Sequence, residues 1–583
     1  MKRALPYVAF AIALILLRLI FLLFSEYVYD EEEYKTGSIA ALVMDGPTLP
    51  ILEYQPGDYE GGTLFFGLAT IPFFYVFGKT FVGLKALALM TTLLLGLFSV
   101  LWARKMAGNA AALFAGCLAL FPIPYIIQVT SLPWGNYAET ATLSALTFLI
   151  FHSFLFEKKQ SYVVSVVMGF LWGFGTWVHY GYLVTPLTCL LIWHMTDAAL
   201  FKSKKFFAAI ASAIVGFSPW LAYNLTHHFW GMFRFSDATY AEAGRSRISL
   251  LIERAWSLLT SDLAAGMHFR FESTAFDKII SYAYEIILVA TCVVFALVVA
   301  RKLLGWIISL SPLPRHKTEA DKDLAQAIPL IYVTAFGAAY CLSGYGLFAQ
   351  TWAGFDPETH AHIFQLYPAL TMVAAVVFGR LWPQKRFLVA GAFTALIIMG
   401  FLGSLAMIDF QRPQSARLRA QAWDKDVIYM EIGSKWARSH TELNALVDDV
   451  PNHAKRSMSF GAGITYGLFH IGSLHVAVDK CAALPERWWP YCRLGIGTGL
   501  SSSGQLTSDE LTGEINTAQS DAQSAITTGT AIGYIWYGKL DHPAIAQAAQ
   551  APLPEALIVA EHAAWAQFLK GHLAMAQSRP KKD

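Results

Sequence analysis

Apolar stretches long enough to cross a bilayer recur through the first 407 residues, and no other feature limits the fold so tightly. The first, residues 5–25, reads LPYVAFAIALILLRLIFLLFS, and a spanning helix needs about 20 such residues. Further stretches lie at about 82–103, 108–128, 138–156, 161–178, 181–197, 206–223, 280–300, 328–348, 362–382 and 387–407. Inside lipid each segment must satisfy its own backbone polar groups, which helices do. The expected fold class is therefore an all-α polytopic membrane protein with about eleven transmembrane helices. Composition agrees: 14% of the 583 residues are charged, against about 25% in soluble domains, and mean hydropathy is +0.45. A net charge of +2 argues for neither nucleic acid nor a strongly acidic partner.

Basic residues set the orientation. They cluster at Arg104-Lys105, Lys158-Lys159, Lys202/Lys204/Lys205, Arg301-Lys302 with Arg315-Lys317, and Lys385-Arg386. With eleven spans all five clusters fall on the side of Lys2-Arg3, which the positive-inside rule makes cytoplasmic. Met1-Lys2-Arg3 resembles a signal n-region, but no small-x-small cleavage site follows, so the first span reads as an uncleaved anchor. Gly62–Gly78, interrupted by Pro72, would reverse every later cluster if it crossed, and is read instead as an interfacial or re-entrant helix. The external loops are then 26–81, 224–279 and 349–361.

Residues 408–583 are polar enough for a separate extracytoplasmic helical domain. Within it Gly461-Ala462-Gly463, Gly495-Ile496-Gly497 and Gly529-Thr530-Ala531 follow one another at 34-residue intervals. That period fits helix–turn–helix repeats packed through small residues; the alternative is a chance spacing. Cys481 and Cys492 are the two cysteines of this polar part, flank Pro485 and Pro490, and are placed to close a short disulfide loop outside the cytoplasm. The other four cysteines lie in apolar segments, and no spacing resembles a zinc or redox motif.

Chemistry points to the run Tyr29-Asp30-Glu31-Glu32-Glu33-Tyr34, just outside the first span. Crowded carboxylates at a low-dielectric boundary raise one another's proton affinity and suit general-base work; the plain alternative is a solvated acidic loop. A first span, an external Asp30-Glu31-x-x-Tyr34, an interfacial stretch from Gly61-Gly62-Thr63-Leu64 to Val76-Phe77-Gly78, and a second span ending on Arg104-Lys105 follow in order. Together with His362-Ile363-Phe364-Gln365-Leu366-Tyr367-Pro368 before a late span, this resembles the GT-C glycosyltransferases, closest to the protein O-mannosyltransferase and aminoarabinose transferase superfamily. The resemblance covers about residues 1–407, and its order and topology carry it rather than any one motif.

What the resemblance implies is transfer of a sugar from a polyprenyl-phosphate- or pyrophosphate-linked donor to an acceptor at the outer face. Asp30 would act as base or orient the acceptor, with Glu31 its neighbouring acid. The departing lipid phosphate needs cationic donors. The family's basic residue before Tyr-Pro is absent here, and His360 and His362 stand near its place. Arg245, Arg247, His268 and Arg270 are further external candidates, each with a solvated or headgroup-facing alternative. Asp58 and Glu60 are candidates for acceptor binding, although a simple turn at Pro56-Gly57-Asp58 explains them too. Asn136, Glu139 and His179 stand out because polar groups at span depth are costly; an interhelical structural bond is the alternative. Tyr34 and Tyr367 complete the substrate-binding set.

No cofactor is expected, and a divalent metal at Asp30, Glu31, Glu358 and His360 is left open without supporting ligand spacing. The expected partners are the lipid-linked donor, an acceptor of unspecified class and membrane lipids. The expected setting is a bacterial inner membrane, with the N-terminus cytoplasmic and the C-terminal domain periplasmic or extracellular. Two other functions fit less well: a transporter or flippase of lipid-linked glycans, which would show paired repeats and interrupted midplane helices, and a membrane-anchored partner-binding scaffold.

Overall fold

A computed structural model of the chain describes residues 5–30, 32–57, 60–227, 229, 247–263, 279, 282–297, 318–342, 362–438, 450–502, 508–518 and 520–536. These residues are helices and connections, and no β-strand occurs among them beyond one isolated bridge between Thr80 and Gln421. They divide into two compact units. The first holds residues 1–40 and 59–423, the second residues 41–58 and 424–583.

In the first unit the chain runs through α1 (Leu5–Phe24), α2 (Glu33–Asp45, which leaves this unit at residue 40), α3 (Gly62–Phe77), α4 (Phe81–Leu120), α5 (Pro124–Ser131), α6 (Ala138–Leu155), α7 (Tyr162–Val178), α8 (Val184–Asp197) and α9 (Lys204–Thr226). Helices Thr318–Leu342, Leu366–Leu381 and Arg386–Ala406 follow. Among the described residues six helices are long and apolar enough to cross a membrane: α1, α4, α6, α9, Lys322–Leu342 and Arg386–Ala406. Gly62–Phe77, Tyr162–Val178, Tyr282–Leu297 and Leu366–Leu381 are apolar but shorter. The chain is thus a helical multi-pass membrane protein.

Where the expected spans change, the backbone gives the reason. The stretches expected at 82–103 and 108–128 are joined in α4, broken at Ala107 and at Gly108, whose φ is 80°. Gly116 lies against Val100 and Phe10. An unbroken helix would hold Val100 and Gly116 about 24 Å apart, so the two halves of α4 fold back on each other. The second half ends at Phe121, and Pro124 restarts the chain as α5. α3 carries Pro72 in its interior, is 16 residues long, and leaves Tyr75, Val76 and Phe77 exposed at its end.

Small residues bring helices close. α7 and α9 meet where a Cβ on Gly169 or Gly173 would strike the carbonyl oxygen of Ala209 or Ala213, the small-x-x-x-small packing of membrane helices. The main core is aromatic and aliphatic, drawn from α4, α6, α8 and Leu366–Leu381. Residues 408–423 return to the end of α1: Asp409 N–H donates to Phe24 O at 2.7 Å and Gln414 N–H to Leu23 O at 2.7 Å.

The second unit stacks Lys425–Arg438, Asn452–Phe469, Trp489–Ser502 and Ser520–Trp536, each against the next, with short helices Leu474–Ala482 and Ser508–Thr517 between the later ones. The 34-residue period has a structural meaning. A Cβ on Gly495 would meet Phe460 O at 2.0 Å, and one on Gly529 would meet Leu494 O at 1.8 Å. Gly463 meets Cys492 O and Gly497 meets Ile526 O, both at 1.9 Å. The same backbone contacts recur one repeat later. Cys481 and Cys492 are disulfide-bonded, Cα–Cα 5.7 Å, between one repeat's short helix and the next long one. Residues 41–58 from the first loop are part of this unit: Lys425 pairs with Asp45 at 2.7 Å, and Lys435 Nζ donates to the carbonyls of Glu53 and Gln55 at 3.0 and 3.2 Å.

Candidate active site

The acidic run caps a helix. Asp30 Oδ1 accepts from Glu32 N–H at 2.7 Å, while Asp30 N–H donates to Glu33 Oε1 at 2.8 Å. Asp30 accepts from the residue two on, as an N-cap side chain does, and Glu33 reaches back to its N–H as in a capping box, so amides at the start of α2 find partners. The arrangement also holds the half-buried Asp30 carboxylate in one place. Glu33 turns inward and is fully buried. It forms an ion pair with Lys85 of α4, whose Nζ also donates to the carbonyls of Val28 and Ser131. Burial raises the Glu33 carboxyl to about 7, against the pull of the Lys85 ammonium.

Two cations border this station. Lys85 sits 4.6 Å from the centroid of the Tyr29 ring, and the exposed Arg417 guanidinium covers the same ring at 4.7 Å. The Tyr29 hydroxyl donates to Leu22 O at 2.7 Å, and burial raises its pKa further from the ordinary phenol range. Tyr34 packs edge-on against Phe81 at 5.4 Å.

A second polar cluster is built from three connections. Asn136 Nδ2 donates to Glu60 Oε1 at 3.1 Å. His179 Nε2 faces Glu60 Oε2 at 3.6 Å. His179 Nδ1 accepts from Gly181 N–H at 3.1 Å, so the neutral ring carries its proton on Nε2, toward the carboxylate. Burial pushes His179 down to about 3, so the ring is neutral at physiological pH. Glu139 lies in the first turn of α6, 2% exposed, and its Oε2 has no hydrogen-bond partner among the described residues; nor has Asn136 Oδ1.

Close backbone packing explains why these residues meet. Gly135 has φ of 90°, and a Cβ there would strike Gly62 at 2.6 Å; a Cβ on Gly62 would strike Gly135 O at 1.9 Å. Gly61 N–H donates to Trp177 O at 2.8 Å and Thr63 Oγ1 to Trp134 O at 2.9 Å. Only residues without side chains let the Glu60 and Asn136 segments lie this close. The connection Ser131–Asn136 also links the two stations, since Ser131 O accepts from Lys85 and Pro133 O accepts from Thr36 Oγ1 at 2.7 Å.

His362 joins the second cluster through Tyr137, with Tyr137 Oη and His362 Nδ1 at 3.5 Å; the Tyr137 ring also packs edge-on against His179 at 5.5 Å. Gln365 Nε2 donates to Tyr137 O at 2.9 Å. Tyr367 points elsewhere: its hydroxyl donates to the carbonyls of Asp262 and Leu263 at 3.2 and 3.3 Å. Arg247 opens the helix Arg247–Ser257, and its side chain is not described. Glu31, Asp58, Arg245, His268, Arg270, Glu358 and His360 lie outside the described residues. Among the described residues no cluster of three or more His, Cys, Asp or Glu side chains is placed to hold a metal ion.

Of the residues singled out in the sequence, Glu60, Asn136, His179 and His362 lie in one cluster, while Glu33, Lys85 and Arg417 were not among the candidates. A single lysine in the apolar run at 82–103 was a legible signal for Lys85, because an intramembrane charge needs a partner. Glu33, buried and paired with Lys85, is a structural residue of this station.

No known protein family matches the sequence, and no curated protein does. Among solved structures the fold is similar to the crystal structure of the Archaeoglobus fulgidus oligosaccharyltransferase in its apo form. That likeness has a TM-score of 0.42 at 11% sequence identity, over 85% of this chain and 71% of that one. A likeness of that size assigns no chemistry, which must come from the site's own residues.

Proposed function

We propose that the chain is an integral-membrane glycosyltransferase of the GT-C kind, moving a sugar from a polyprenyl-phosphate-linked donor to an acceptor on the extracytoplasmic face. The observation that carries this reading is the placement of Asp30. Its carboxylate is pinned in this capping arrangement just beyond the first span, with Arg417 and Lys85 both on the ring of the preceding residue. A lipid carrier arriving sideways presents its phosphate at headgroup depth. Asp30 takes the acceptor hydroxyl proton as the bond between sugar and phosphate breaks, and the exposed Arg417 receives the charge that develops on the departing phosphate. The buried Lys85 holds Glu33, and through it Asp30, in register. Glu60, with Asn136 and His179, supplies a second polar station suited to sugar hydroxyls, and Glu139 beside it offers an uncommitted oxygen.

The test is release of sugar from a polyprenyl-phosphate donor by the purified full-length chain. Asp30→Asn should cut transfer by about 10²-fold or more, and Arg417→Gln should lower it while leaving the melting temperature unchanged. Full activity in Asp30→Asn rejects the assignment. Movement of lipid-linked glycan across vesicles without covalent transfer would identify a flippase instead.

A further inference from the structure

Arg18 lies well inside α1, about 9 Å below its last residue Phe24 at the helical rise. It is 4% exposed, and its Nε and Nη1 are buried with no hydrogen-bond partner among the described residues. Leaving such donors unmade costs about 1–3 kcal/mol, more for a charged group, so the side chain calls for a ligand.

The space around it can hold one. Arg18 borders a cavity of about 50 Å³ walled by α1, both halves of α4, α5 and the start of Leu366–Leu381. A water occupies about 10–15 Å³ on this scale, so the cavity takes several waters or one small oxyanion. None of the lining residues is acidic. Three wall hydroxyls have already spent their hydrogens on backbone carbonyls: Thr92 on Thr130 O at 2.8 Å, Thr130 on Ile126 O at 2.6 Å and Thr371 on Pro368 O at 2.8 Å. Ser99 also lines the cavity, and its hydroxyl is uncommitted among the described residues. An anion would thus find a guanidinium and one hydroxyl donor, set among apolar walls.

Lipid is the natural source of that anion. Another side of α1 exposes Val8, Ile12, Leu16, Leu19 and Leu23, an apolar face suited to acyl chains. A second cavity of about 30 Å³ shares Leu95, Ser99, Pro368 and Met372 with the first and reaches Gln365, so the space beside the charge adjoins another. We infer that Arg18 and Ser99 form a binding site for the phosphate of a membrane lipid, separate from the Asp30 and Glu60 stations and independent of the proposed transfer reaction.

Native mass spectrometry of the full-length chain, delipidated in detergent, tests this with four probes: undecaprenyl phosphate, dioleoylphosphatidylglycerol, dioleoylglycerol and inorganic phosphate. Wild type should retain one or both phosphate-bearing lipids at least about tenfold better than dioleoylglycerol. Arg18→Gln and Ser99→Leu should each abolish that preference, and Arg18→Lys should keep part of it. Ser99→Leu leaves the arginine in place, so it carries the test if Arg18→Gln fails to fold. Retention of undecaprenyl phosphate alone names a prenyl carrier as the ligand; retention of both lipids names bulk anionic lipid. No preference over dioleoylglycerol, binding of inorganic phosphate only, or a preference that survives both Arg18→Gln and Ser99→Leu overturns the inference.

Discussion

An asparagine caps a helix about as well as an aspartate, because either side chain accepts from a first-turn N–H. Asp30→Asn should therefore lose transfer activity with thermal stability within about 0.5 kcal/mol of wild type, whereas Asp30→Ala should also lose about 0.5–2 kcal/mol of stability. Thermal melts of the two variants beside the transfer assay separate the cap from the base. At Glu33 the balance is reversed. Glu33→Gln leaves the Lys85 ammonium buried without its carboxylate, and breaking a buried pair from one side costs about 3–5 kcal/mol. Removing both partners, as Glu33→Gln with Lys85→Met, should cost less than the sum of the single losses; additive losses would show that the pair is not coupled. His179 makes a pH prediction. Burial lowers it from 6.5 to about 3, so the unfolded chain binds more protons than the folded one between those values. Its contribution is intact above pH 6.5 and is lost as pH falls toward 3, at up to about 1.4 kcal/mol per pH unit. His179→Gln should flatten that acid limb in melts taken from pH 7 to pH 4; an unchanged slope would show that His179 does not titrate on unfolding.

Helix ends and crossings decide where the polar residues go. Gly135 combines a φ of 90° with a near-contact to Gly62, so Gly135→Ala faces both backbone strain and a clash. It should lower stability by well over about 1 kcal/mol and abolish transfer together with it; a variant that melts like wild type would mean that the Glu60 and Asn136 connections are not held together by this crossing. The same element scale shows what a sequence can and cannot reveal. Apolar length announces the spans, and Asp30 to Glu33 is the spacing of a capping box, readable from residue types alone. Glu60, Asn136 and His179 could be flagged as costly polar groups, yet their meeting depends on glycines at 62 and 135 lying back to back, a tertiary event with no local signature. Arg18 and Lys85 stand out as charges in apolar runs. Which one finds a carboxylate and which one faces a cavity follows only from how α1, α2 and α4 pack. The repeat domain lies between these cases: the 34-residue spacing of its glycines is visible in the sequence, and the backbone contacts that give the spacing its meaning are not.

At the scale of the whole molecule, the second unit constrains the membrane topology. It contains residues 41–58, which follow the first span, together with residues 424–536. Hydrogen bonds and ion pairs run between the two segments, including Lys435 to Glu53 and Thr48 Oγ1 to Tyr429 Oη at 3.3 Å. Two segments of one folded unit cannot lie on opposite sides of a bilayer. The number of crossings between residues 58 and 424 is therefore even, and it is odd from residue 5 to residue 424 when α1 is included. An even number of crossings between these segments is also what puts all five basic connections on the side of Lys2-Arg3 in the expected arrangement. Single cysteines introduced at exposed Gly57-side and repeat-domain positions, Ile51 and Asp509, in a background lacking Cys117, Cys189, Cys292 and Cys341, should react alike with a membrane-impermeant maleimide applied to intact cells. A cysteine at Lys158 should react only after permeabilisation. Labelling of Ile51→Cys and Asp509→Cys from opposite sides would dissolve the second unit as described, whereas both labelling only after permeabilisation would keep the unit and place the acidic loop, and with it the proposed reaction, on the cytoplasmic face.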